Sequence, residues 1–167
     1  MEILDSGTRR EFNTGAVRDI AEGKGRCDLL PLKVVSSLLH SDVLFNIEGY
    51  IRLGTTNLLH MAIEQFVAND SNWPDIYTAI LEVAKQYEQG CQKYGDRNWE
   101  KGIPVHCYID SGVRHYLKFK RGDTDEPHDR AFLFNILGAI WTHINLPDLI
   151  DLPFNDKKGV DGNVCSM

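Results

Sequence analysis

Carboxylates, imidazoles and cations are grouped in this sequence in ways that could do chemistry. Glu88 lies four residues after Ala84 and three before Cys91, at the edge of an apolar stripe, and Asp110 stands one helical turn before Arg114. Asp123, Asp125, Glu126 and Asp129 surround the start of a strongly apolar segment. Hard divalent cations such as Mg2+ or Mn2+ take oxygen ligands, and carboxylates on neighbouring antiparallel helices are one way to hold them. The plainer account of Asp123, Glu126 and Asp129, taken singly, is capping of free amides and complementing a helix dipole. Asp110 and Arg114, at i and i+4, also make the commonest surface ion pair. His115 and His128 are open to two readings as well, as site groups or as satisfied polar contacts between helices.

Cations sit close to these groups. Lys93, Arg97 and Lys101 flank Asn98-Trp99, which suits a pocket for a phosphate and a base and equally a solvated turn whose Trp99 plugs the core. In the first thirty residues, Thr14-Gly-Ala-Val-Arg18-Asp19 and Gly23-Lys24-Gly-Arg26 set glycine amides beside basic side chains, a composition able to cradle a polyphosphate. Neither stretch fits a P-loop or a dinucleotide fingerprint, and a basic arm docking on a neighbouring subunit is the alternative.

The elements that must position these groups read as helices. Pro31 can open one carrying Leu32, Val35, Leu38 and Leu39, and a second begins near Thr55 or Thr56 with Leu59, Ile63 and Phe66 inward. After Trp73-Pro74-Asp75 a longer helix has Ile76, Ile80, Val83, Ala84, Tyr87, Cys91 and Tyr94 on one face, Glu82 on the other, and ends near Gly95. The next spans Val105 to Lys120, with Ile109, Val113 and Tyr116 inward and Gly122 as its stop. The last runs from Pro127 to about Ile144 and is apolar almost all round, so it is expected at the centre. One seam of it, His128, Ala131, Asn135, Gly138 and Thr142, is small or polar and leaves room for a planar ring. Strand signals are nearly absent. The expectation is an all-α bundle in one domain over 1–167, with an irregular arm (1–30), a helical core (31–146) and a tail (147–167).

Composition narrows the class. The chain has 167 residues, 43% apolar and 25% charged, an ordinary globular balance. A net charge of -6 argues against a nucleic-acid coat. The absence of a long apolar run or a signal peptide predicts a cytoplasmic protein without a membrane partner. Cys27, Cys91, Cys107 and Cys165 form no close pair, which predicts reduced thiols.

Arg10-Glu-Phe-Asn-Thr-Gly-Ala-Val-Arg-Asp19, Gly23-Lys-Gly-Arg-Cys-Asp-Leu-Leu-Pro31, Tyr87-Glu-Gln-Gly-Cys-Gln-Lys-Tyr-Gly-Asp-Arg-Asn-Trp99, Asp110-Ser-Gly-Val-Arg-His115 and the stretch from His128 to Asn135 together resemble the phage dATP/dGTP diphosphohydrolase family, the MazZ-type, MazG-like pyrophosphohydrolases. The resemblance runs from about residue 9 to 143 and is weaker over 40–75. It implies an all-α, Mg2+- or Mn2+-dependent enzyme that splits purine deoxynucleoside triphosphates into monophosphate and pyrophosphate, feeding a 2-aminoadenine pathway, and that works as a homo-oligomer. The E-x-x-E pattern of MazG proteins is not met, since Glu82 and Glu88 are six apart, although Glu126 and Asp129 do form E-x-x-D. On this reading Glu88, Asp110 and His115 are the catalytic candidates, and Glu88, Asp110, Asp125, Glu126 and Asp129 the metal candidates. Thr14, Arg18, Lys24, Arg26, Lys93, Asn98, Trp99, Arg114, His128 and Asn135 are the substrate candidates. The alternative is a nucleotide-binding or phage assembly protein that keeps the fold without turnover.

Overall fold

In the computed structural model, described over residues 5–156, two antiparallel helices make the centre: α5 (Val105–Arg121) and α6 (His128–Asn145). The near-continuous apolar circumference of α6 becomes buried Phe132, Leu133, Ile136, Ala139 and Ile140, packed on Tyr108, Ile109, Val113 and Tyr116 of α5. Gly122 closes α5 in the left-handed conformation at φ 87°, where a side chain would be strained. The two helices come close because the seam carries a glycine: a Cβ at Gly138 would stand 2.4 Å from the Tyr108 ring. The room expected for a ligand along the lower seam is therefore filled by Tyr108. Gly138→Ala should lower stability by about 1–3 kcal/mol through overpacking, against a gain of about 1 kcal/mol in helix propensity, a net loss readable by urea melts.

α4 (Ile76–Tyr94) begins where Asp75 Oδ1 accepts the Thr78 amide at 2.7 Å, and it runs parallel to α6, matching Glu82 to Arg130 and Tyr87 to Phe134. Its buried residues are Ala79, Val83 and Gln86. The inward face is thus rotated from the one expected, with Ala84 and Cys91 exposed and Ile80 46% exposed. Arg130 draws Glu82 toward α6, so the wheel turns and Tyr77 (80% exposed) and Leu81 (71%) point outward.

α1 (Leu32–Leu39) starts after Pro31, and α3 (Asn57–Gln65) starts after Thr56. Between them lies α2 (Asp42–Leu53), an element the sequence reading passed over. Ser41 caps it by accepting the Leu44 amide, and it buries Val43, Leu44, Ile47, Tyr50 and Ile51. The arm also differs from expectation. It carries a hairpin, β1 (Arg9–Glu11) against antiparallel β2 (Val17–Asp19), with Arg10 opposite Arg18. Phe12 N–H to Ala16 C=O and Gly15 at φ 83° close its turn.

The tail turns at Pro147–Leu149, buries Ile150, Leu152 and Phe154, and ends in α7 (Pro153–Asp156). Asp151 caps α5: Oδ1 accepts the His106 amide at 2.9 Å, and Oδ2 is paired with His106 Nδ1. Pro104 precedes α5 and has no side-chain oxygen to do this itself. The hydrogen bond to Asp151 pushes the His106 imidazole up to about 10. Burial opposes the charge on Asp151, but its bonds to His106 outweigh that and hold the carboxyl below its ordinary value. The raised imidazole adds stability that is full below the ordinary value near 6.5 and drains as pH rises through about 10. The lowered carboxyl adds stability that is present above its ordinary value and is lost as pH falls below it. Asp151→Asn should cost about 0.5–2 kcal/mol at pH 7 and less at pH 10.5, measured by thermal melts at both pH values.

Cys27, Cys91 and Cys107 are free thiols, while Cys165 lies outside the described residues. Among the described residues no helix is long and apolar enough to cross a membrane.

Candidate active site

The hairpin, α4, α5 and α6 enclose a cavity of about 570 Å³. Six of its lining residues, Arg10, Arg18, Lys24, Lys93, Arg114 and Lys118, are cationic, and Asp5, Asp19 and Glu126 are the lining carboxylates. A concave site with surplus positive charge selects an anionic ligand.

Two anchors hold the hairpin over it. Asn98, buried, accepts the Val17 amide at Oδ1 and donates from Nδ2 to the Val17 carbonyl, both at 2.8 Å, so one amide side chain continues the strand. Thr14 Oγ1 bonds the Gly102 carbonyl. The Asp110–Arg114 pair fastens the next stretch. Asp110, 3% exposed, takes the Cys27 amide at 2.7 Å and a bond from Arg114, and Arg114 also donates to the Lys24 and Gly25 carbonyls.

The hairpin delivers Arg18. Its Nη2 donates to Asn135 Oδ1 at 2.8 Å, its guanidinium lies 5.2 Å from the Tyr108 ring centroid, and Nη1 is buried without a partner. Burial pushes its pKa down, with the Tyr108 hydroxyl the leading opposing influence. Among the described residues no carboxylate pairs with it, whereas Lys24 and Lys118 have Asp19 and Asp125 as partners. A buried charge lacking a counterion is costly, and an incoming acceptor relieves it. Asn135 is itself fixed, because its Nδ2 donates to the Ala131 carbonyl at 2.7 Å.

At another part of the wall His115 Nδ1 and His128 Nδ1 are 3.0 Å apart, with Glu126 Oε1 at 3.6 and 3.7 Å from them. His115 and Glu126 line the cavity, and His128 is buried behind them. His128 Nε2 bonds Asp125 at 2.7 Å, and that bond pulls the Asp125 carboxyl down to about 2. Burial pushes the His115 imidazole well below its usual value, and the neighbouring His128 and Arg114 push the same way, so the ring is neutral at pH 7. Two ligands about 2.1 Å from one ion and about 90–110° apart stand about 3.0–3.4 Å from each other, so these three atoms have close to the spacing of a coordination sphere. The Asp125–His128 bond is the usual support behind a ligating imidazole. The residues present therefore fit a divalent ion, through a His-His-Glu set that the carboxylate pattern alone did not indicate.

The remaining candidates lie elsewhere. Glu88 is exposed on α4 and does not line the cavity. Asp129 accepts the Arg130 amide beside it, and Arg26 pairs with Asp28 while lining a neighbouring cavity with His106 and Cys107. Trp99 packs edge-on against Trp141 at 4.9 Å and against Tyr87, the plug of the two readings for that loop. Residues the sequence reading did not single out include Arg10, Gln86, Ser111 and Lys118. For Arg10 a signal existed: it is the strand partner of Arg18, but three-residue strands show no period.

No curated protein and no solved structure shows significant similarity to the chain. Residues 70–151, which hold α4, α5, α6 and the His-His-Glu cluster, match the family model described as dATP/dGTP diphosphohydrolase, N-terminal, and this match supports the likeness of the chain to that family.

Proposed function

We propose that the cavity binds a purine deoxynucleoside triphosphate and that the protein hydrolyses it to the monophosphate and pyrophosphate. The observation that carries this reading is the meeting, at one cavity, of a ligand-spaced His115–His128–Glu126 cluster with a surplus of cations. A bound divalent ion would neutralise charge developing on the phosphoryl oxygens. The chain's own groups do the rest. Lys24, Lys93, Arg114 and Lys118 offset the triphosphate and the leaving pyrophosphate. Asp125 holds His128 in one ring orientation, and neutral His115 offers a lone pair without first losing a proton. Asn98 and Thr14 act at one remove, by keeping the hairpin closed over the substrate.

Two imidazole nitrogens and one carboxylate oxygen suit Mn2+ or Co2+ better than Mg2+, which prefers oxygen. Turnover at equal concentration should therefore be highest with the transition ions, measured as pyrophosphate released, and equal or higher rates with Mg2+ would count against the cluster. The deciding experiment incubates the protein with each of the four dNTPs and Mn2+ and quantifies dNMP and pyrophosphate. Turnover of dATP and dGTP supports the reading, and no turnover of any purine triphosphate with several metals favours a non-catalytic nucleotide-binding protein. Such an enzyme would work on the cytoplasmic dNTP pool, in a phage-infected cell releasing dGMP toward 2-aminoadenine synthesis. The outward apolar stripes, Tyr77 and Leu81 on α4 and Val34 and Leu38 on α1, support a homo-oligomer, which light scattering would register.

A further inference from the structure

Gln86 is 8% exposed, lies on the cavity wall, and its Oε1 has no hydrogen-bond partner. Arg18 lines the same cavity with a buried Nη1 equally unpartnered. The lining of one cavity thus includes an unused acceptor and an unused donor, an arrangement a folded protein tolerates poorly unless a ligand completes it. Tyr94 and Phe134 line this cavity too and give flat apolar surfaces on which a ring can stack.

We propose that Gln86 and Arg18 read the purine edge around position 6, which makes Gln86 a specificity-determining residue. This rests on the nucleotide reading above. Guanine presents O6, an acceptor, beside N1–H, a donor. Adenine presents, in the same order, N7, an acceptor, beside the N6 amino group, a donor. Each base therefore satisfies one donor and one acceptor in the same order, adenine sliding by about one position along its edge, and a single Arg18–Gln86 pair serves both. Asn135 is the positioning residue, since its Oδ1 holds Nη2 and so sets the direction of Nη1. Pyrimidines carry similar edges on a shorter ring system, and discrimination against them then comes from reach.

The test reads binding. Calorimetric Kd values are measured for dGMP, dAMP and 2′-deoxynebularine 5′-monophosphate, which keeps the N7 acceptor but has only hydrogen at C6. The unaltered protein should bind the nebularine nucleotide about two- to twelvefold more weakly than dAMP. Gln86→Met, which keeps the length and removes the polar atoms, should weaken dGMP and dAMP by a similar factor and change the nebularine nucleotide less than about twofold. Equal affinity of the unaltered protein for dAMP and the nebularine nucleotide overturns the proposal without use of any variant. An equal loss on all three ligands in Gln86→Met also overturns it and makes Gln86 a packing residue. Because turnover is not read, a protein that binds purines without hydrolysing them would still show the pattern, so failure of the hydrolase reading and failure of this one are told apart.

Discussion

Glu126→Gln is expected to lower metal-dependent kcat by at least about 100-fold, because the charge stabilisation supplied by a bound ion amounts to several kcal/mol and each 1.4 kcal/mol is a decade in rate. Among the described residues Glu126 Oε1 is the one carboxylate oxygen within 4 Å of both His115 Nδ1 and His128 Nδ1, so glutamine keeps the shape and removes the charge that balances the ion. Direct Mn2+ titration should show weakened binding, while the melting temperature of the metal-free protein should move by no more than a few degrees, since Glu126 precedes α6 and is outside the core. Glu88→Gln is the informative companion. With Glu88 exposed and away from the cavity, its substitution should leave rate and metal affinity near those of the unaltered protein. The reverse result, loss with Glu88→Gln and retention with Glu126→Gln, would move the metal centre to the outer face of α4, where a second copy would have to complete it.

That contrast shows what the sequence could and could not convey. The helix from Pro127 was legible because its apolar content is unbroken, and α5 because Ile109, Val113 and Tyr116 keep a helical period up to Gly122. α2 was legible too and went unread: Ser41 caps it, Val43, Leu44, Ile47, Tyr50 and Ile51 keep a helical period, and Gly54 stops it. The rotation of α4, by contrast, was hidden. Its wheel has apolar residues on two faces, and the choice between them is made by Arg130 and Phe134 on another helix, which no local period encodes. For the site, His115, Glu126 and His128 all stood among the sequence candidates, but under different headings. Geometry puts them in one place because α5 and α6 run antiparallel and bring positions thirteen residues apart into contact. Asp110 and Asn98 were identified by residue type, and their partners, the Cys27 amide and the Val17 backbone, exist only once the arm has folded back.

Arg18→Met should separate stability from function with opposite signs. Arg18 comes from the hairpin, outside the span matched by the family model, and is held by Asn135 and the Tyr108 ring with no carboxylate among the described residues. Replacing a buried ion by an apolar side chain is often neutral or stabilising by about 1–4 kcal/mol. Against this, Asn135 Oδ1 loses its donor, a cost of about 1–3 kcal/mol. The two nearly offset, so the ligand-free variant should melt within a few degrees of the unaltered protein or above it. Binding should suffer: a hydrogen bond from a charged donor is worth about 1.5–3 kcal/mol, or about 10- to 150-fold in kcat/KM for dATP and dGTP. Ligand-induced stabilisation gives the matching readout. A dGTP analogue with an imido bridge between the α- and β-phosphates, at about 100 times its Kd, should stabilise the unaltered protein by about 2.7 kcal/mol and the variant far less at the same concentration. If instead the ligand-free variant melts many degrees lower while kcat/KM and the analogue's effect stay unchanged, Arg18 is a strut between the hairpin and α6. The unpartnered Nη1 would then be a cost the fold carries for packing, and the hairpin would have no part in substrate recognition.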